Sequence, residues 1–186
     1  WLSVATRRSP RASVLCVSAS RSEPNCAKAS RSRYCESSIF RRPAIFFMAR
    51  QFSSREFGDL AARAAKGLQK IGVGPGVHVG LYLANTPHYL IAFFAVLKAG
   101  GVVVNYSPLD AERVLEHKVE DSETDILVTQ DFAALYPQMD RLLAGTRLKT
   151  LVVGTVGEMS AHPEAVTQQL RAGKLLTIAG AQHEVL

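Results

Sequence analysis

Val77-His-Val-Gly80-Leu-Tyr-Leu-Ala-Asn85-Thr-Pro87-His-Tyr-Leu90-Ile-Ala-Phe-Phe-Ala95-Val-Leu-Lys-Ala-Gly100-Gly-Val-Val-Val104 is the stretch on which the fold turns. Val77, Val79, Leu81 and Leu83 alternate with His78, Gly80 and Tyr82, the two-residue period of a strand. Asn85 or Thr86 supplies a cap, and Pro87 falls in a first helical turn, where its missing N–H costs nothing. Leu90, Ile91, Phe93, Phe94, Val96 and Leu97 surround the helix that follows, which predicts a helix apolar nearly all round and deeply packed. Gly100 and Gly101 end it, and Val102 to Val104 reads as a buried strand. Strand, helix and strand in this order make a parallel pair joined by a helical crossover.

From Ile71 to Leu97 there is no Asp, Glu, Lys or Arg. A membrane span is nonetheless excluded, because Gly72, Gly74, Pro75, Gly76, Gly80, Asn85 and Pro87 break the run well below the roughly 20 apolar residues that a bilayer requires.

The same logic extends outward. Upstream, Ala44 to Met48 is a predicted strand, and Ser53 with Glu56 forms a predicted capping box. The helix after it places Phe57, Leu60, Ala61, Ala64, Leu68 and Ile71 on one face until Gly72 ends it. Downstream, Asp110 to Asp121 is a polar helix anchored by Val114, Leu115 and Val119. Ile126 to Val128 and Leu151 to Val153 are buried strands, with a helical stretch from Phe132 to Leu143 interrupted by Pro137. Glu164 to Leu170 offers a turn or two of helix, and Lys174 to Leu186 has no evident partner element. The alternation predicts an α/β fold: a partial doubly wound, mainly parallel sheet with helices on both faces.

The chain has 186 residues, 47% of them hydrophobic and 20% charged, ordinary values for one globular domain. Its net charge of +6 is lopsided: residues 1–50 carry +8 and residues 51–186 carry −2. Residues 1–42 are rich in Ser and Arg and lack apolar periodicity, so they read as a basic disordered leader. An organelle transit peptide or a basic arm for nucleic acid would share that composition. No amphipathic Arg face and no interleaved aromatics occur there, so no nucleic-acid partner is expected. Cys16, Cys26 and Cys35 all lie in that leader without a CxxC pair, which supports neither a metal site nor a disulfide framework.

No stretch supplies a chemical centre. Gly72-Val-Gly74-Pro-Gly76 follows a helix and precedes a strand, the reverse of a phosphate loop, and reads as a helix stop with a tight turn. His78, His88, His117, His162 and His183 show no metal spacing. Glu112, Glu116, Glu120, Lys118 and Asp121 form a solvated helix face. Ser107 lies outside any GxSxG elbow. Catalytic, cofactor-binding and metal residues are therefore all expected to be none.

Five blocks in order do carry a resemblance. Phe52-Ser-Ser-Arg-Glu56-Phe resembles an (S/T)YxEL helix start, and Ile71-Gly-Val-Gly-Pro-Gly-Val-His78-Val resembles LGVGPGDRV. Leu81-Tyr-Leu-Ala-Asn85-Thr-Pro87-His-Tyr89 is similar to LxxPNxPEY. Ala92-Phe-Phe-Ala95-Val-Leu-Lys98-Ala-Gly100-Gly through Asn105-Tyr-Ser-Pro108-Leu is similar to AxxAVLKAGG followed by NPL. Leu115-Glu-His-Lys-Val-Glu-Asp121-Ser122 with Ile126-Leu-Val-Thr129 matches a helix and strand ending in DS and VT. His78 stands where Arg or Lys is frequent, and Ala84 where Pro is usual.

Together these blocks resemble those of the AMP-forming acyl-CoA synthetases, nearest to bacterial long-chain fatty acid or dicarboxylate ligases. The resemblance divides the chain into the leader 1–42, an N-terminal part of an AMP-binding ligase domain over 43–159, and a poorly defined tail 160–186. It implies an incomplete N-terminal subdomain whose expected partner is the remainder of its own domain. It also implies, for the full-length family, ATP, Mg and CoA as cofactors and a fatty acid or other carboxylate as substrate. The family's phosphate loop, YGxTE segment, TGD aspartate and C-terminal lysine have no counterpart in this sequence, so the chain alone is expected to be inert and to bind no cofactor. A cytoplasmic location follows, or an organelle matrix if the leader is a transit peptide. The rival reading is a small α/β nucleotide- or ligand-binding module without catalytic activity.

Overall fold

The structure, a computed structural model, describes residues 42–176 together with the backbone of three strands, Leu2–Thr6, Ser13–Cys16 and His183–Glu184. In chain order the strands are β1 (Leu2–Thr6), β2 (Ser13–Cys16), β3 (Pro43–Phe47), β4 (Arg50–Ser53), β5 (His78–Leu81), β6 (Val102–Asn105), β7 (Ile126–Gln130), β8 (Thr150–Gly154) and β9 (His183–Glu184). The helices are α1 (Ser54–Lys70), α2 (Pro87–Ala99), α3 (Glu112–Asp121), α4 (Tyr136–Gly145) and α5 (Pro163–Ala172), with a 3-10 turn at Val156–Met159.

Four strands, in the order β6, β5, β7, β8, run parallel. β1 continues the sheet antiparallel to β8, and β2 and β9 follow it. Apart from Arg42 and the backbones of β1 and β2, the segment expected to be a leader lies outside the described residues, as does most of the chain after Leu176.

The crossovers explain which helix covers which face. Passing from β5 to β6 moves one way along the sheet, and passing from β6 to β7 moves back past β5. Right-handed crossovers in opposite directions put their helices on opposite faces. Accordingly, α1 and α2 pack Ala65, Leu68, Ala92, Ala95, Val96 and Ala99 on Val79, Leu81, Ile126, Val128 and Val152. On the other face α3 and α4 pack Leu115, Val119, Met139 and Leu142 on Leu127, Leu151 and Val153. Neighbours along β7 and β8 thus point to opposite cores, the period of two that a pleat imposes. All five residues of β7 are buried.

The predicted strand at Ala44–Met48 forms as β3, which pairs with β4 in a hairpin that makes a separate two-stranded sheet. Other expectations are corrected. Ser53 caps α1 by accepting the Glu56 N–H at 3.2 Å, but the Glu56 carboxylate accepts from Arg50 at 2.7 Å rather than returning to Ser53, so only half of the capping box forms. β6 is an outer strand of the sheet with Val102 exposed, not a buried one, and Val114 on α3 faces solvent. The helix α2 is not deeply packed all round: Leu90, Phe94 and Leu97 are exposed. Pro137 does not interrupt a helix; it sits in the first turn of α4.

Met48 and Ala49 join β3 to β4 with φ of 43° and 63°. A two-residue hairpin with both φ values positive suits the right-handed twist of its strands, and Asn-Gly is its preferred sequence, because a Cβ is crowded there. Ala49→Gly is therefore expected to raise stability by about 1 kcal/mol, read as a shift in the urea midpoint at constant slope. An unchanged midpoint would show that the turn carries no strain.

Candidate functional site

In open parallel sheets the crevice beyond the carboxyl ends of the strands, where strand order reverses, is the usual ligand position. Here that point lies between β5 and β7. The chain leaves β5 through Tyr82, whose N–H donates to Val128, and turns at Ala84 to Thr86 into α2. Gln130 ends β7 and reaches back across the gap. Its Oε1 accepts the Ala84 N–H at 3.1 Å, and its Nε2 donates to Thr86 Oγ1 at 2.7 Å and toward His88 Nδ1 at 3.3 Å. Thr86 Oγ1 also lies 3.4 Å from His88 Nδ1.

With Gln130 donating to Nδ1, the network makes Nδ1 the acceptor and leaves the proton on Nε2. Nε2 has no hydrogen bond of good geometry among the described residues, although the Thr155 backbone stands near enough to raise the imidazole pKa slightly. Burial dominates and lowers it to about 4. The ring presses on β8: a Cβ at Gly154 would lie 3.0 Å from His88 Cδ2. His88 is 4% exposed, so it is neutral at pH 7 and sealed from bulk solvent. The crevice is filled by the protein's own polar side chains.

Beside it, Asp131 accepts the Val156 N–H at 3.1 Å. Glu158 on the 3-10 turn holds a carboxyl that burial raises above the ordinary range, with the Asp131 charge adding to the rise. Its main-chain carbonyl accepts from Arg50 at 3.4 Å, tying the hairpin to this end of the sheet.

The remaining residues singled out in the sequence are scattered. Gly72 and Gly76, with φ of 96° and 79°, form the stop after α1, where Val73 N–H returns to Leu68 and Val77 N–H to Gly74. The glycines face a helix C-terminus, so they do not form a phosphate cradle. His78 Nδ1 lies 2.6 Å from the Ser122 carbonyl at the opposite end of the sheet. His117 and His162 are exposed, and the side chain of His183 lies outside the described residues. Ser107 accepts the Leu109 N–H. The α3 face is more tied than a simple solvated surface: Glu112 holds Arg141 of α4 in a two-point pair at 2.8 and 2.9 Å, Lys118 meets Asp110 at 2.6 Å, and Glu120 accepts the Arg147 N–H.

Among the described residues no group of three His, Cys, Asp or Glu side chains could hold a metal ion, and no helix is long and apolar enough to cross a membrane. The Thr86, His88 and Gln130 constellation escaped the sequence reading because Gln130 is 42 residues from His88 and belongs to no motif.

Comparison with known proteins is concordant. The model of the family described as AMP-binding enzyme matches residues 33–179. A long-chain-fatty-acid–CoA ligase of Bacillus subtilis (strain 168) is 26% identical over 129 residues, 69% of this chain and 23% of the relative. One from Yersinia pestis is 30% identical over 119 residues, 63% of this chain and 21% of the relative. The solved structure of a long-chain-fatty-acid-CoA ligase from Archaeoglobus fulgidus superposes with a TM-score of 0.51 at 25% identity, covering 63% of this chain and 23% of that one. The chain thus spans less than a quarter of the length of these relatives.

Proposed function

The chain belongs to the AMP-binding enzyme family, and from that membership we propose that it is the N-terminal part of an ATP-dependent, AMP-forming carboxylate–CoA ligase acting on long-chain fatty acids, inert by itself. In the complete reaction a fatty-acid carboxylate attacks the α-phosphorus of Mg-ATP, releasing pyrophosphate and leaving an acyl-adenylate. The CoA thiol then displaces AMP to form the thioester. The observation that carries the reading is the family match across residues 33–179, joined by relatives whose names specify long-chain fatty acids.

The inertness in this proposal rests on the family's phosphate loop, YGxTE segment, TGD aspartate and C-terminal lysine having no counterpart in this sequence. Phosphoryl-group reactions depend on donors and cations fixed around the developing charge. Among the described residues no group of three His, Cys, Asp or Glu side chains is placed to hold a metal ion, and the buried His88 is tied to Gln130 and Thr86. What this chain contributes is scaffold: a parallel sheet and two helical layers. Cytoplasmic residence is part of the same proposal, consistent with the absence of a membrane-crossing helix among the described residues.

Purified chain incubated with ATP, labelled pyrophosphate and a panel of fatty acids is expected to show exchange no faster than a protein-free blank. Exchange above the blank that is lost on heat denaturation would show that catalytic groups reside in this chain.

A further inference from the structure

The parallel part of the sheet has two outer strands, and they differ. β6 has no partner on its far side among the described residues, and its burial is that of an edge: Val102 and Asn105 are exposed, Val103 and Val104 half-buried. β8 stands at the other side of the parallel set, yet its Leu151, Val152 and Val153 are 0, 1 and 4% exposed, as enclosed as the residues of central β7. Backbone N–H and C=O groups that lose water must find partners. β7 satisfies only half of those on β8. The Thr150 N–H donates to the Asp125 carbonyl and the Gly154 carbonyl accepts the Asp131 N–H, both on the β7 side. Hydrogen-bonding groups alternate sides along a strand, so Val152 also faces β7, while Leu151 and Val153 present theirs to the far edge.

β1 meets that edge. Its residues pair with β8 in antiparallel register, from Leu2 with Gly154 to Thr6 with Thr150. Ser3 with Val153 and Ala5 with Leu151 are then the pairs that exchange hydrogen bonds, and Val4 turns its backbone toward β2. The sequence agrees with this placement. Leu2-Ser-Val-Ala-Thr6 and Ser13-Val-Leu-Cys16 carry no charge, whereas Arg7, Arg8 and Arg11 lie between them. Uncharged segments are what an enclosed sheet edge accepts, because an unpaired charge there would lose its hydration. We infer that the outer edge of β8 is a strand-accepting site, filled in this chain by its own residues 2–6, and that the ligand it takes is an uncharged extended segment the length of β1, running antiparallel. Affinity comes from main-chain hydrogen bonds, as in other strand additions. Because residues 2–6 are tethered, a strand supplied by another molecule must displace them, and the edge is guarded against pairing between chains. Residues 2–6 precede the matched family segment 33–179, so the inference stands apart from the ligase reading.

Amide hydrogen exchange of the full chain, followed residue by residue by NMR, tests the site. The protection of Leu151 and Val153 should lie within about tenfold of that of Val152, whose N–H goes to β7. Exchange of Leu151 and Val153 about a hundredfold or more faster than Val152 would mean an empty edge and overturn the inference. Protection of the two that rises with protein concentration would assign the edge to a second copy of the chain and overturn it equally. Ala5→Pro removes the N–H that faces Leu151 and should lower the protection of Leu151 and Val153 by about tenfold or more, with Val152 unchanged. Val4→Pro removes an N–H that faces β2 and should leave Leu151 and Val153 within about threefold of wild type. Equal effects of the two prolines would overturn the assignment of β1 to this edge. A fluorescent peptide of residues 1–17 should bind the Ala5→Pro chain about tenfold or more tightly than it binds wild type, and should restore the lost protection. The same peptide carrying Ala5→Pro should do neither. Equal binding to both chains, or binding to neither, would show that the edge accepts no strand and overturn the inference. Should Ala5→Pro not fold, the wild-type exchange pattern decides.

Discussion

Gly80→Val is expected to destabilise the fold by about 3 kcal/mol or more, at the upper end of what overpacking costs. Gly80 lies in the middle of β5, and a Cβ there would stand 2.7 Å from Tyr106 Cε2 and 3.2 Å from Leu127 Cδ1. The tyrosine ring cannot swing aside, because its hydroxyl is held by Ser122 at 2.7 Å and Thr124 at 2.9 Å. Leu127 is fully buried between strands and the α3–α4 layer. Urea unfolding should show the loss as a lowered midpoint. Tyr106→Ala vacates the space, so the double variant should be less destabilised than the sum of the two single changes. Strict additivity would mean that the ring does not enforce glycine at this position.

The second large effect is one of pH. His88 titrates near 4 in the fold because burial disfavours the imidazolium, against about 6.5 in an unfolded chain. Between those values the unfolded state binds the proton more readily, so the contribution to stability is complete above about pH 6.5 and declines as pH falls toward 4. Glu158 acts in the opposite direction: its raised carboxyl takes up a proton more readily in the fold, which adds stability as pH falls. Asp110, Glu112 and Asp125 are lowered, by Lys118, by Arg141 and by the Lys149 and Arg147 pair against burial, and their contributions fade only in stronger acid. The His88 effect is therefore read as a difference. Between pH 7.5 and pH 4.5 wild type should lose about 2.5 kcal/mol more than His88→Gln, measured by urea unfolding at both values. Equal losses would show that the imidazole is not held neutral.

Much of the architecture was legible because it is periodic. The alternation from Val77 to Leu83, the glycine stops after α1 and α2 and the proline at the start of α2 are local signals, and each element appeared within a few residues of its expected place. The β3–β4 hairpin was half missed, because Met48-Ala49 lacks the Asn or Gly that marks such a turn. The burial of β6 was overstated for another reason: Val102 to Val104 is equally apolar in a central or an outer strand, and only strand order separates the two. The crevice network was illegible, since Thr86, His88 and Gln130 meet through topology rather than spacing.

Sequence by itself determined the α/β alternation, because hydrophobic period, caps and glycine stops are written in neighbouring residues, and it pointed to the family through the resemblance of five motif blocks in order. Tertiary structure alone decided that β6 is an outer strand, that His88 is sealed beneath Gln130 and that α2 keeps one apolar side in water. Those facts depend on which distant segment lies alongside, and no local pattern encodes a neighbour that the chain reaches only by crossing the sheet.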